Sequence, residues 1–484
     1  MNRRDGRTTR SVLFEHLAAA RGHSAPRRMS AARRLLASRR VLAARRVLAA
    51  RRRLAFRRLA AIAPFVALMV VAAAGCGQDP MAPRDTMGEP SRPTLRPDRI
   101  VIHDDPVYLE SRLARSSKLL TVRGKETPAD PQDHTPAKPE DGSPGRLTLV
   151  GEVLPPEVDG RVVQANDIEI WGHTAVVAYN FAGDPYAGAV QVIDFTHPEH
   201  PVLMAEVLYR DADVDAVAVL GSHVYVGLSS SDPALVTPAM IEELFVTGHG
   251  IQPTGNWLDV PSWAVTDLAV DGHYVVASVG SSQGGVALVE TAGQGLQLAG
   301  FVPAEDARGV ACVPGSAAMN VTGGEARLRQ LTMPGLATAS EASVLGYRHP
   351  AAKGTLEVGG GLCYLGAGDG GFQLWSLDGK LLDVLDNRDF ASLRPGLAVT
   401  NAVSSCGRLA FVAAGALGVQ VVDVGRWNPN SLRAEDDHGL RVLGELVFED
   451  GASSNMVKAK NDILVVAAGA GGVKLVEMDL GGDK

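Results

Sequence analysis

The chain has 484 residues, of which 5% are aromatic, 21% are charged and 53 are glycine. This composition excludes collagen, a coiled coil and a polytopic membrane protein, and it fits an all-β chain with many turns. The formal charge of −7 averages two different parts. Residues 1–75 are strongly basic, whereas the rest of the chain holds 29 basic and 52 acidic residues, a net charge of −23. Such an acidic surface repels nucleic acid, so we expect no nucleic-acid partner.

The N-terminal part has the pattern of an export signal. Residues 59–75 form an apolar run directly after Arg57 and Arg58, which is short for a spanning helix and typical of a signal peptide. Arginine pairs recur every six positions over residues 33–58. They indicate either a basic helix on a membrane surface, or a tandem duplication or a start codon assigned too early, with Met29 as the candidate true start. We predict a signal peptide with an extended Arg-rich n-region over residues 1–75.

The apolar run ends in Ala73-Ala74-Gly75-Cys76, which resembles the lipobox of bacterial lipoproteins. The resemblance implies cleavage before Cys76, acylation of its sulfur and of the new amino group, and a stable membrane anchor. The alternative is an ordinary signal peptide followed by a chance cysteine. Gly77 stands where Asp would imply retention at the inner membrane, so the expected location is the outer membrane, on its periplasmic face or at the cell surface.

A proline-rich segment follows the lipid site. Residues 77–144 contain 11 of the 28 prolines, with Asp, Glu, Ser and Gly between them. Such a composition does not bury enough apolar surface to offset the entropy lost on ordering. We therefore predict a lipid-anchored flexible linker over residues 76–144, with local order allowed for Arg99 to Val122.

From residue 145 the sequence repeats a unit of four short apolar strands separated by turns. The residue in the turn before the second strand recurs every 43 to 54 residues. It is Gly172, Gly221, Gly272, Gly315, Gly360, Gly407 and Asn461. A period of this size with four strands per unit predicts propeller blades. The last unit lacks its fourth strand, and residues 145–154 resemble one. We predict an all-β, seven-bladed β-propeller over residues 145–484, closed by that N-terminal strand, with six or eight blades as alternatives.

The first unit carries a family resemblance. Residues 191–195 (QVIDF) and the turn at 196–201 (THPEHP) resemble the LVIVD repeat, and the similarity extends over about residues 145–480. The family consists largely of exported or surface bacterial propellers without an assigned chemistry. The resemblance therefore implies a bacterial LVIVD-repeat propeller lipoprotein, and it implies no reaction.

Apparent active-site motifs fail on their context. Residues 366–371 satisfy GxGxxG and residues 280–284 satisfy GxSxG, but a strand follows each motif where the chemistry requires a helix. Ser282 is therefore a turn residue. The histidines lack the spacing of zinc ligands. We expect no catalytic residue, no cofactor and no metal, and thus no enzyme. The three later cysteines permit either buried thiols or one disulfide, and they are Cys312, Cys363 and Cys406.

Acidic residues recur where one predicted blade joins the next. The candidate ligand face comprises Asp211, Asp213, Asp215, Glu305, Asp306, Glu449 and Asp450. Loops at blade junctions gather around the channel of a propeller, so these carboxylates could hold Ca²⁺ or a basic partner segment. Arginines in the same linkers offer the alternative that they form ion pairs instead.

Three classes of function remain. The first is a cell-envelope lipoprotein acting as a non-enzymatic interaction scaffold, a monomeric propeller whose loop faces bind an envelope protein or polysaccharide. The second is an outer-membrane assembly factor, by architectural analogy with the propeller lipoprotein of the barrel-insertion machinery. The third is a Ca-dependent ligand-binding or enzymatic propeller that uses the acidic face. We favour them in this order.

Overall fold

The structure is a computed structural model and describes residues 94–120 and 146–479, apart from short stretches in the second range. These stretches are 249, 294, 324, 348–352, 388–398, 426, 429–432, 435–438 and 449–451. The predicted signal peptide and Cys76 lie outside the described residues. Alternating apolar residues and frequent turn residues give the described chain an almost entirely β structure.

The N-terminal described residues contribute strands to parts of the ring that the rest of the chain builds later. They form β1 (Ile100–His103), α1 (Pro106–Ser111), β2 (Leu113–Leu120) and β3 (Arg146–Val153). The short strands β4 (Glu157–Val158) and β5 (Arg161–Val162) pair with each other.

The first four blades are each built from four consecutive antiparallel strands. Blade 1 comprises β6 (Gln164–Trp171), β7 (Thr174–Asn180), β8 (Gly188–Asp194) and β9 (Val202–Tyr209). Blade 2 comprises β10 (Ala212–Leu220), β11 (His223–Ser230), β12 (Ala239–Thr247) and β13 (Gly250–Asp259). Blade 3 comprises β14 (Val265–Asp271), β15 (Tyr274–Val279), β16 (Gly285–Glu290) and β17 (Gln297–Pro303). Blade 4 comprises β18 (Ala307–Val313), β19 (Ala317–Thr322), β20 (Arg327–Thr332) and β21 (Thr338–Ser343).

Three further blades complete the ring. Blade 5 comprises β22 (Leu356–Gly359), β23 (Leu362–Gly366), β24 (Phe372–Ser376) and β25 (Leu381–Leu385). Blade 6 comprises β26 (Ala402–Cys406), β27 (Leu409–Ala413), β28 (Val419–Asp423) and, after the small pair β29 (Trp427–Asn428) and β30 (Arg433–Ala434), β31 (Arg441–Leu446). Blade 7 comprises β32 (Met456–Lys460), β33 (Ile463–Ala467), β34 (Val473–Asp479) and β3.

The first strand of each blade lies innermost. These inner strands contact one another in a closed order, from β6 through β10, β14, β18, β22, β26 and β32 back to β6. They therefore surround a central channel. The prediction of seven blades of four strands is confirmed for the described chain.

The ring closes as the sequence predicts. Strand β3 pairs antiparallel with β34, and this register sets Val153 opposite Val473 and Arg146 opposite Asp479. The first and last parts of the propeller thus share one sheet. Closure gives blade 7 its fourth strand, so the edge of β34 that would otherwise be unpaired is covered by β3.

The recurring turn residues have a common conformation that explains their identity. All seven residues between the inner and second strands have φ between +55° and +67°. Glycine adopts this left-handed conformation without steric cost, because it lacks a Cβ atom. Asn461 replaces glycine in blade 7, and asparagine is among the few other residues that adopt the conformation readily.

The core lies between adjacent blades. Val190 and Val207 of blade 1 pack in one cluster with Val226 and Met240 of blade 2, and all four side chains are fully buried. Burying each such side chain stabilises the fold by about 1.5–3 kcal/mol. Similar clusters of Val, Leu, Ile and Ala separate the other blades.

Residues 94–120, here called the N-terminal clamp, lie within the segment predicted as a linker. In the structure β1 pairs with β9, the outer strand of blade 1, and β2 pairs with β3, the outer strand of blade 7. The clamp therefore adds a fifth strand to two neighbouring blades. The local order allowed for Arg99 to Val122 within the predicted linker takes the form of β1, α1 and β2.

The helix between the two clamp strands is fixed by local signals. Asp105 caps α1, and its Oδ1 accepts a hydrogen bond from the Tyr108 backbone nitrogen at 2.8 Å. Pro106 occupies the first turn, where a missing N–H group costs nothing. The Tyr108 hydroxyl donates to Glu206 of β9 at 2.7 Å. These contacts hold the connection against blade 1.

Candidate functional site

The two ends of the inner strands define two faces of the propeller. The junction face is formed by the segments that lead into the inner strands and by the loops between the second and third strands of each blade. The turn face lies at the other end and carries the turns from Gly172 to Asn461. A cavity of about 320 Å³ opens on the channel at the junction face.

The cavity is lined by residues at equivalent positions in different blades. The residue six places before the turn residue is polar in five blades, and it lines the cavity in each of them. These residues are Asn166, Asp215, Thr266, Asn401 and Asn455. Blades 4 and 5 have Gly309 and Gly354 at this position, and the preceding residues, Arg308 and Lys353, line the cavity instead.

Gly309 allows two inner strands to approach closely. A Cβ atom there would collide with the Gly354 carbonyl oxygen of the next blade. Position 309 of blade 4 therefore has no room for a side chain. Arg308, one residue earlier, lines the cavity in its place.

Most of the equivalent polar residues also join neighbouring blades. The Nδ2 groups donate to backbone oxygens across three junctions, from Asn166 to Val214 at 3.1 Å, from Asn401 to Ser454 at 3.3 Å and from Asn455 to Ala165 at 3.0 Å. Inner strands of a propeller do not pair as a sheet, so these amides satisfy backbone groups that would otherwise lack partners.

Lys353 crosses the floor of the cavity from blade 5 to blade 1. Its Nζ donates to the Asn166 backbone oxygen and lies 3.8 Å from Asp167 Oδ1. Asp167 in turn accepts a hydrogen bond from the Val217 backbone nitrogen at 2.9 Å. Asp267 makes the equivalent contact with Val310, also at 2.9 Å. Burial, together with the charge of Asp167, raises the pKa of Asp267 to about 7.

A second lysine lies deeper in the channel. Lys458 Nζ lies 3.4 Å from Glu169 Oε2 and 4.0 Å from Glu357 Oε2. Burial alone would lower the pKa of Lys458, but the surrounding carboxylates raise it above its ordinary value. Glu357 also accepts the Ser405 backbone N–H at 2.7 Å. The charged groups of the channel therefore balance one another and connect neighbouring inner strands.

Asp215, one of the predicted ligand residues, lines the cavity. It accepts hydrogen bonds from Asn180 Nδ2 at 2.8 Å and from Ser229 Oγ at 2.7 Å. Burial raises the pKa of Asp215. Its neighbour Asp213 points instead into blade 1, where Oδ1 accepts the backbone N–H groups of Phe181 and Ala187, both at 3.1 Å.

Asp211 lies at the outer part of the same junction and pairs with the N-terminal clamp. Arg99 Nε donates to Asp211 Oδ2 at 3.3 Å, and Arg99 Nη1 donates to Glu242 Oε2 at 2.8 Å. Arg96 Nη2 lies 3.4 Å from the same Asp211 oxygen. The Arg99 guanidinium also lies over the Tyr209 ring, 5.2 Å from its centroid. Asp211 is therefore neutralised by residues more than a hundred positions away in sequence.

The remaining predicted ligand residues are dispersed. Asp306 Oδ2 accepts from Arg308 Nη2 at 2.7 Å, as an arginine of the same linker was predicted to do, and Glu305 is exposed. Glu449 and Asp450 lie outside the described residues. Within the described ranges, no three His, Cys, Asp or Glu side chains converge as a metal site would require.

The other sequence motifs have structural positions that match their predicted contexts. Ser282 lies in the turn between β15 and β16, and the GxGxxG residues connect β23 and β24. No disulfide links the three described cysteines, Cys312, Cys363 and Cys406. Burial raises the pKa of the Cys363 thiol to about 12, which makes it a poor nucleophile.

Three exposed apolar side chains lie in loops of the junction face. Val236 is 86% exposed, Trp263 is 59% exposed and Leu345 is 51% exposed. The loops that carry Val236 and Trp263 are joined by a hydrogen bond from Thr237 Oγ1 to the Val260 oxygen at 2.7 Å. Trp263 directly precedes Ala264, which lines the cavity.

Sequence reasoning missed the two cations nearest the channel and the two arginines of the clamp. They are Lys353, Lys458, Arg96 and Arg99. It also missed the amides at the cavity. The signal for the amides was present, because counting six residues back from each turn residue gives the polar positions directly.

Comparison with known proteins yields similarity to solved structures alone. No protein-family model matches the sequence, and no curated protein matches it significantly. U3-55K is 13% identical, with a TM-score of 0.49 over 66% of this chain and 97% of that one. The WD40 repeats of RRP9 are 13% identical, with a TM-score of 0.48 over 66% and 96%. The WD40 propeller domain of Doa1 is 10% identical, with a TM-score of 0.47 over 68% and 97%. The propeller assignment rests on the strand pairing described above.

Within the described residues, no helix is both long enough and apolar enough to span a membrane.

Proposed function

We propose that this chain is a bacterial cell-envelope lipoprotein whose propeller acts as a non-enzymatic interaction scaffold, binding a protein or a surface polymer through its junction face. The observation that carries the proposal is that exposed apolar side chains and a polar cavity occur on the same face. Val236, Trp263 and Leu345 are each at least half exposed. Exposed apolar groups around a recessed site are typical of interaction surfaces, and tryptophan is enriched among residues that dominate binding energy.

Binding rather than catalysis is favoured by how the titratable groups are used. Asp167 and Asp267 accept backbone N–H groups of the following blade, and Glu357 does the same with Ser405. Asp213 holds the loop between β7 and β8. Carboxylates engaged in this way stabilise the ring and are poorly placed to exchange protons with a substrate.

The membrane part of the proposal rests on the lipobox resemblance at Cys76 and on the position of the clamp. The Arg96 backbone nitrogen donates to Asp232 Oδ2 at 2.9 Å, and Asp232 belongs to the loop that also carries Val236. The chain thus reaches the propeller beside the junction face. An anchor at Cys76 would hold the chain at a membrane and raise the effective concentration of envelope partners.

Site-specific photocrosslinking in intact cells tests the proposed face. A photoreactive amino acid replaces Val236 or Trp263 in the full-length chain, and Trp171 on the turn face is the matched control, because it is also an exposed tryptophan. We expect one discrete adduct from positions 236 and 263 and none from position 171. The same adduct should weaken in the Cys76→Ser variant if the anchor supplies the partner. Equal crosslinking from both faces, or none from the junction face, would overturn the proposal.

A further inference from the structure

We infer that the junction-face cavity binds a neutral, hydroxyl-rich ligand of the size of one sugar ring, such as the end of a glycan. This inference deepens the proposed function by naming the ligand chemistry, and it rests on that proposal for the choice of face. Three observations support it: the hydrogen-bonding groups of the lining residues, the balance of charge, and an exposed tryptophan next in sequence to a lining residue.

Asn166, which lines the cavity, carries a buried acceptor that lacks a donor. Asn166 is 5% exposed, and its Nδ2 donates a hydrogen bond to the Val214 backbone oxygen. Its Oδ1 is buried and has no hydrogen-bond partner among the described residues. A buried amide oxygen without a partner is costly, so this atom favours a ligand that brings an O–H or N–H group.

Donors and further acceptors face the same space. The Lys353 ammonium group carries three N–H donors and lies on the floor, beside Asn166. Asp215 lies on the wall formed by blade 2, and each of its oxygens receives one hydrogen bond in the structure although a carboxylate oxygen accepts two. A hydroxyl group both donates and accepts. Neighbouring hydroxyls of one ligand could therefore accept from Lys353 and donate to Asn166 Oδ1 or Asp215.

The balance of charge disfavours ionic ligands. Asp167 and Asp215 flank the floor and would repel a carboxylate or phosphate ligand. Lys353 and Arg308 line the same cavity and would repel an ammonium ligand. A neutral polar ligand avoids both penalties, because it needs no counter-charge in a recessed site.

The volume of the cavity and the exposed Trp263 also favour a sugar ligand. A volume of about 320 Å³ is near the lower end of the range for small-ligand pockets, ~300–1,000 Å³, so it suits a single ring better than an extended chain. Trp263 is 59% exposed directly before the lining residue Ala264. An indole ring there offers a flat apolar surface to the C–H face of a sugar.

The test is titration of the purified full-length protein with three neutral probes: methyl β-D-glucoside, methyl β-D-galactoside and methyl N-acetyl-β-D-glucosaminide. Glucuronate and glucosamine are the anionic and cationic comparators. Saturation-transfer NMR and tryptophan fluorescence report binding. We expect saturable binding of at least one neutral glycoside and weaker binding of both charged sugars.

Matched variants locate the site. Trp263→Ala should weaken binding about tenfold, which corresponds to loss of one good stacking contact. Trp171→Ala on the turn face should leave affinity unchanged. Asp215→Asn keeps the size of the side chain and should weaken binding several-fold, with an unchanged melting temperature verifying the fold.

Three results would overturn the inference: no saturable binding of any neutral probe, preference for glucuronate or glucosamine, or equal weakening by Trp263→Ala and Trp171→Ala. These outcomes are independent of the crosslinking experiment. Adducts from position 263 without sugar binding would retain the interaction scaffold and remove the glycan ligand. Sugar binding without any adduct would retain the glycan ligand and remove the interaction scaffold tested by crosslinking.

Discussion

Asp213 shows how a carboxylate that looks like a ligand from sequence works as a structural acceptor. It is 8% exposed, and its Oδ1 holds two backbone N–H groups of the preceding blade. Burial and the nearby charge of Asp215 raise its pKa to about 7, against the hydrogen bonds that favour the ionised form. The acceptor geometry is needed for the fold, whereas the charge is unfavourable there.

This arrangement predicts a pH-dependent effect of Asp213→Asn. Because the folded-state pKa lies above that of the unfolded chain, the contribution of Asp213 to stability is largest below about pH 4 and is lost as pH rises through about 7. Asparagine keeps the acceptor oxygen without the charge. We expect the variant to be more stable than the wild type by about 2–4 kcal/mol at pH 8, and by much less at pH 5. Urea unfolding at the two pH values measures this. A stability difference that does not change with pH would contradict it.

At the scale of single elements, the N-terminal clamp depends on one buried arginine. Arg99 is 4% exposed and serves both Asp211 and Glu242, whereas the Arg96 side chain is 49% exposed beside the same Asp211 oxygen. Removing Arg99 leaves buried Glu242 without this cation and leaves Asp211 with the half-exposed Arg96. Removing Arg96 leaves a mostly solvated contact unmade.

We therefore expect Arg99→Met to destabilise the propeller by about 3–5 kcal/mol and Arg96→Met by less than about 1 kcal/mol. Chemical denaturation measures both. Hydrogen exchange should show that β1 loses protection in the Arg99 variant. Equal effects of the two substitutions would show that the clamp does not depend on this buried ion pair.

How much the sequence predicts differs between elements. The blade strands follow from alternating apolar residues and from turn residues that need positive φ, so both strand number and closure could be predicted. Local order over Arg99 to Val122 could be anticipated, but its strand pairing could not, because the apolar signal of β1 is only four residues long within a proline-rich segment. Its ordering comes from pairing with β9, more than a hundred residues later.

The candidate site was predictable only in part, for a related reason. Junction carboxylates could be placed near one face from chain order, and Asp215 lies at the cavity. Their hydrogen-bond partners come from other blades or from the clamp, and no local pattern gives that information. Lys353 illustrates the limit, since it belongs to blade 5 and contacts Asn166 of blade 1, 187 positions away.

At the scale of the whole molecule, the ring depends on one strand from the other end of the chain. Leu149 lies in the middle of β3, opposite Val476 of β34 and Lys118 of β2. Proline at this position would remove a backbone donor and distort a strand that is paired on both sides.

We expect Leu149→Pro to open the ring and to make the whole propeller sensitive to protease. Ser117→Pro is the matched control, because Ser117 is exposed at the bulge of the outermost strand β2, where a proline is tolerated better. Limited proteolysis and melting temperature distinguish the two. Similar protease resistance of Leu149→Pro and wild type would show that the other six blades hold the ring without closure.

Because blade 7 combines β3 with the last three strands of the propeller, its sheet can form only late in synthesis. Lys474 forms its ion pair with Glu152, which leaves the ribosome 322 residues earlier. Until the final strand is made, β3 lacks its partner, and every shorter chain presents a bare strand edge. Blade 7 therefore reaches its four-stranded form only when the chain has been made through β34.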